Sequence, residues 1–142
     1  MNSRDFRLAY IQTVYNTAAH RFRLSEQNLG LELFAGRRIS VLTAANPFSK
    51  ELSASENQAR NLEMQLEIKT LGFEHGWSYG EQSDHSWRED GFVIFDAPLE
   101  VALDLGRKYE QNAILHGFDS RVALAWCDNE ELEWFFVRPA LD

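Results

Sequence analysis

Cysteine is nearly missing from this chain. Cys127 is the only one in 142 residues, which excludes an internal disulfide and a cysteine zinc cluster. Its acidic surroundings raise a thiol pKa rather than activate it, so Cys127 reads as structural. No apolar run approaches the roughly 20 residues of a membrane span. The charged start Ser3-Arg4-Asp5-Phe6-Arg7 leads into no apolar signal core. Neither a membrane segment nor a secretion signal is expected, and a cytoplasmic location is. Basic charge is also short: 14 Lys and Arg face 22 Asp and Glu, for a net charge of −8. That balance disfavours nucleic acid, whose binders carry a basic face, and the dispersed acid serves solubility. The four histidines, His20, His75, His85 and His116, show no ligand spacing, so no metal site is expected. Repeats, low-complexity segments and Gly/Ser or Pro linkers are missing as well, so one domain is expected over residues 1–142.

The chain does have the means to build a core. It is 44% hydrophobic and 13% aromatic, which argues against disorder. Its most informative stretch runs from Ile39 to Phe73. Ile39-Ser40-Val41-Leu42-Thr43-Ala44-Ala45 is short, apolar and β-branched, as in a strand buried on both faces. Asn46-Pro47 ends it, because proline lacks a ladder N–H and pushes Asn46 into an extended conformation. Ser53 and Glu56 have the spacing of a capping box, with Ser55 and Gln58 competing. Strong helix formers follow, and Gly72 is the expected stop. This helix carries two apolar stripes, Ala59-Leu62-Leu66 and Met64-Ile68-Leu71. One should face the sheet, and the N-terminal helix is expected to cover the other.

Elsewhere, Phe6, Ala9, Tyr10 and Thr13 are spaced for a helix from Asp5 to about Tyr15. Arg21 to Leu24 reads as a short edge strand, and Gln27 to Arg38 as a loop. Phe73 to Tyr79 alternates as a strand with an aromatic face. Gly80 to Ser86 is a loop and Gly91 to Phe95 a second strand. Asp96-Ala97-Pro98 opens a helix, with Asp96 or Ala97 as cap and Pro98 in its first turn, that ends near Tyr109 or Glu110. Strands follow at Ala113–Gly117, Arg121–Trp126 and Leu132–Val137. From Ile39 to Gly117 the order is β-α-β-β-α-β. The expected fold is therefore α+β, a ferredoxin-like split βαβ sandwich with an N-terminal helix and an added C-terminal β-hairpin.

Several runs carry a family resemblance. Leu42-Thr43-Ala44-Ala45-Asn46-Pro47 with Ser49, Glu56-Asn57-x-x-Arg60-Asn61-Leu62, Trp87-x-Glu89 and Gln111-Asn112-Ala113 resemble a bacterial family catalogued as domain of unknown function 3293. Ala9-Tyr10-x-x-Thr13-x-Tyr15 is similar too. The resemblance spans roughly residues 6–126; Asp90-Gly91 departs from its pattern. It implies a set of residues, not a reaction.

Those residues suggest a polar site of Asn46, Ser49, Asn57, Arg60 and Asn61, joined by Trp87, Glu89 and Gln111. Arg60 is suited to hold a carboxylate or phosphate bidentately, the helix start to assist an anion, and Trp87 to stack on a ring. A small polar or anionic ligand is the expected partner, with no cofactor specified. On this reading Arg60→Ala removes binding and leaves the fold largely intact. The same side chains also read structurally: Asn46 and Ser49 tie the loop, and Arg60 pairs with Glu89 or Glu56. A hydrolase-like reading makes Glu89 or His85 a general base beside Ser49, although no catalytic motif supports it. Trp126, Trp134, Phe135 and Phe136 crowd the C-terminal hairpin. Its outer face, if bare, is a candidate homodimer or partner surface.

Overall fold

A computed structural model describes residues 3–140. Three helices, α1 (Arg7–Gln12), α2 (Ala54–Leu71) and α3 (Leu99–Lys108), accompany eight strands among these residues. The strands are β1 (Val14–Thr17), β2 (Arg21–Ser25), β3 (Ile39–Leu42), β4 (His75–Glu81), β5 (Arg88–Phe95), β6 (Ala113–Phe118), β7 (Arg121–Trp126) and β8 (Leu132–Pro139). They close an antiparallel barrel in the order β1-β2-β8-β7-β6-β3-β5-β4.

The ferredoxin-like α+β sandwich is therefore overturned. The elements from Ile39 to Phe118 do follow β-α-β-β-α-β, but the sheet does not stop there. The decisive element is β1. The helical spacing of Phe6, Ala9, Tyr10 and Thr13 holds only to Gln12, and Val14–Thr17 is a strand. Those four residues pair with β4 on one side, and Tyr15 and Asn16 pair with β2 on the other, Tyr15 lying opposite both Gly80 and Phe22. β2 is accordingly not an edge, since it lies between β1 and β8. Closure gives every described strand two neighbours.

The burial of β3 on both faces gives the physical reason. Ile39 and Val41 face the barrel interior with Tyr15, Phe22, Val93, Leu115, Leu124 and Trp126. Leu42 faces outward into a second core with Met64, Ile68, Phe92, Ile94, Leu103 and Ile114. The helices α2 and α3 cover the outside. The inside needs a separate cover, which the other strands supply by curling round.

α2 begins as its sequence dictates. Glu56 N–H donates to Ser53 Oγ at 3.2 Å, and Ser53 N–H donates to Glu56 Oε1 at 3.3 Å. Gly72 ends it at φ 84°. Met64 and Ile68 are fully buried, whereas Leu62 and Leu66 are 56% and 65% exposed. α1 does not cover this second stripe, because it lies over the barrel end. There Tyr10 Oη accepts from Ala113 N–H at 3.1 Å, and Arg7 donates to Glu133 at 2.7 Å. In α3 Pro98 is the N-cap rather than a residue of the first turn.

Close approaches around the barrel end require glycine at Gly91 and Gly80. A Cβ on Gly91 would press on the Leu42 carbonyl and lie 2.9 Å from Thr43 Cβ, and one on Gly80 would lie 2.9 Å from the Thr13 methyl. Gly91→Ala is expected to cost about 1–3 kcal/mol by overpacking, read as a drop of several degrees in the thermal midpoint. An unchanged midpoint would mean that β3 and β5 are not in register there.

Candidate functional site

The inward face of β4 carries Ser78 and Gly80, opposite Gly91 and Glu89 of β5. With Gly91 they leave a cavity of about 70 Å³ at one barrel end, also lined by Tyr10, Thr13, Tyr15, Thr43, Trp87, Glu89 and Gln111. At roughly 10–15 Å³ per water it holds a few water-sized groups. A groove of about 410 Å³ runs outside, between α2 and β5, lined by Asn46, Asn57, Gln58, Asn61, Gln65, Asp90 and Phe92. Glu89 borders both chambers.

β5 starts at Arg88, three residues before its expected start, and so places Glu89 on the strand opposite Gly80. Burial pushes the Glu89 carboxyl up from 4.5 to about 7, against a smaller downward pull from the Asn46 hydrogen bond. Among the described residues no cation pairs with it. Asn46 Nδ2 donates to Glu89 Oε2 at 2.8 Å. The orientation of that amide is set by its other end: Asn46 Oδ1 accepts from Leu52 N–H at 2.9 Å and Asn57 Nδ2 at 2.8 Å. Asn57 Oδ1 accepts from Asn46 N–H at 2.9 Å. The loop holding Asn46 is strained, with Asn46, Phe48 and Ser49 at φ 48°, 50° and 63°. Such left-handed backbone costs of order 1–3 kcal/mol per residue and survives only where its surroundings enforce it.

The other expected residues serve that loop. Asn61 Oδ1 accepts from Ala44 N–H at 2.9 Å, and its Nδ2 donates to Asp90 O at 3.0 Å. Gln111 Nε2 donates to Ala45 O at 2.9 Å. Arg60 Nε donates to Ala44 O at 2.5 Å, and Nη2 to Tyr109 O at 2.7 Å. Glu110, not Glu89 or Glu56, is the carboxylate nearest Arg60, at 3.7 Å. Ser49 accepts from Asn112 Nδ2 at 3.0 Å. Neither Arg60 nor Ser49 lines either chamber.

A family model described as "Protein of unknown function (DUF3293)" matches residues 42–114. The chain belongs to that family. No curated protein and no solved structure matches it. The matched span contains all eight residues of the expected site, and the structure distributes them over two chambers and a supporting loop. Tyr10, Thr13 and Tyr15 lie outside that span and complete the cavity. Burial and then the Glu89 charge raise the Tyr10 hydroxyl, while burial and Tyr10 raise that of Tyr15, so both stay protonated. Their spacing was visible in Ala9-Tyr10-x-x-Thr13-x-Tyr15, but the helical reading pointed them elsewhere. The small residues at alternate β4 positions, Gly76, Ser78 and Gly80, were the missed signal for a cavity.

Among the described residues no group of His, Cys, Asp and Glu could hold a metal ion, and no helix is long and apolar enough to cross a membrane.

Proposed function

We propose that the protein binds a small polar ligand carrying N–H or O–H donors, received by the Glu89 carboxyl. The observation that carries this is Glu89 itself: a carboxyl withdrawn from water at the junction of two chambers, with one amide as its partner and no cation. A carboxyl kept in so costly an environment marks a candidate site. The groove has room for the body of a small molecule. An anion finds less support, because the Arg60 donors go to two backbone carbonyls. The eight residues then divide by role. Glu89 contacts the ligand, and Asn46, Asn57, Asn61, Trp87 and Gln111 shape the chambers. Ser49 and Arg60 hold the strained loop.

A thermal-shift screen against small amines, amides and polyols tests this. A ligand at about 100 times its dissociation constant adds roughly 2.7 kcal/mol, or about 5–10 °C at 2–4 °C per kcal/mol. The shift should vanish in Glu89→Gln, persist in Leu66→Ser on the far stripe of α2, and for amines grow as pH passes 7. A shift that persists in Glu89→Gln would overturn the assignment.

A further inference from the structure

The barrel wall of β2, β8 and β7, away from α2, has an unusual composition. The outward residues of β8 are Leu132, Trp134, Phe136 and Arg138. Arg121 of β7 lies opposite Phe136, and Arg23 of β2 lies opposite Arg138. The Arg121 guanidinium sits 4.8 Å from the Phe136 ring centre and 5.5 Å from that of Trp134. Phe118 of β6 meets Trp134 edge-on at 6.3 Å. These rings face water: Trp134 is 42% and Phe118 49% exposed. Among the described residues Arg23, Arg121 and Arg138 form no ion pair, and Arg23 Nε is buried without a hydrogen-bond partner. Like charges directly opposite across two strands are destabilising. Folding gains nothing from the Arg23–Arg138 pair, in a chain with eight more acids than bases.

We propose that this wall binds single-stranded nucleic acid, with Trp134 and Phe118 stacking on bases and Arg23, Arg121 and Arg138 meeting phosphates. Exposed rings among unpaired arginines are the chemistry of such sites. Two other occupants fit less well. On this wall an added peptide strand would find only residues 132–135 of β8 free toward β2, and it would use backbone rather than the rings and arginines; a two-fold dimer through this wall would bring the three arginines of both copies into one interface. The net charge of −8 counts acids on all sides, whereas contact depends on charges within about a Debye length, roughly 10 Å.

Fluorescence anisotropy with a labelled oligouridylate at low salt tests the proposal. Saturable binding is expected, with log affinity falling against log salt by roughly 0.7 per phosphate neutralised. Trp134→Ala should weaken it about tenfold and leave the salt slope unchanged. Arg138→Glu should weaken it at least as much while raising the thermal midpoint, because the new carboxylate faces Arg23. A purely structural arginine would not give that pair of opposite changes. Lys69→Glu, at the end of α2, should leave affinity unchanged. The proposal falls if binding does not saturate, if Arg138→Glu binds as the native chain does, or if a labelled polyglutamate peptide binds as tightly as the oligonucleotide.

Discussion

Glu89→Gln should make the protein more stable above pH 7. In the folded chain burial holds the Glu89 carboxyl at about 7, against 4.5 for an unperturbed glutamate. The folded state therefore binds this proton more tightly than the unfolded state does. The stability linked to it is fully present below about pH 4.5 and is lost as pH rises through 7. At 1.36 kcal/mol per tenfold change in proton affinity, the loss approaches roughly 3 kcal/mol. Glutamine has nearly the same shape, keeps an oxygen for Asn46 Nδ2, and never ionises. Its advantage should grow from near zero at pH 4.5 to about 3 kcal/mol at pH 8, or on the order of 6–12 °C. Urea denaturation of both proteins across that range measures it. A difference that stays flat with pH would show that Glu89 is solvated, and would remove the support for a site there.

Arg60→Ala carries the other large effect, and the hydrogen bonds of Arg60 predict a loss of stability in place of a normal fold. The guanidinium bridges Ala44 O at the end of β3 and Tyr109 O at the end of α3. Charge-assisted hydrogen bonds are worth about 1.5–3 kcal/mol each, so losing both should cost roughly 3 kcal/mol or more. Arg60→Lys should recover little, because an ammonium has no fork to span two carbonyls. Chemical denaturation decides the matter. Native stability in Arg60→Ala with the ligand-induced shift lost would instead make Arg60 a direct ligand contact.

Local signals were legible at both ends of α2, but not at Asn46, which is left-handed although Pro47 favours an extended residue before it. The Ser53–Glu56 capping box and the Gly72 stop both appear as the spacing requires. The apolar Ile39–Leu42 run is a strand buried on both faces. β1 failed for a physical reason. Val14-Tyr15-Asn16-Thr17 is too short to show a period of its own, and the helical spacing before it runs straight into it. Four misread residues were enough to leave a sheet open that is in fact closed.

The polar residues show the same division. The sequence alone determined that Asn46, Asn57, Arg60 and Asn61 would gather at the β3–α2 corner, because a strand end, a proline and a capped helix leave them nowhere else to go. Only the tertiary structure decided what they do there. Barrel closure carries Glu89 inward beside Gly80 and out of water, and it spends the donors of Arg60 on carbonyls contributed by two other elements. It likewise gathers Arg23, Arg121 and Arg138 from three strands onto one wall. Burial and charge clustering are sums over residues distant in the chain, and no local pattern of residues contains them.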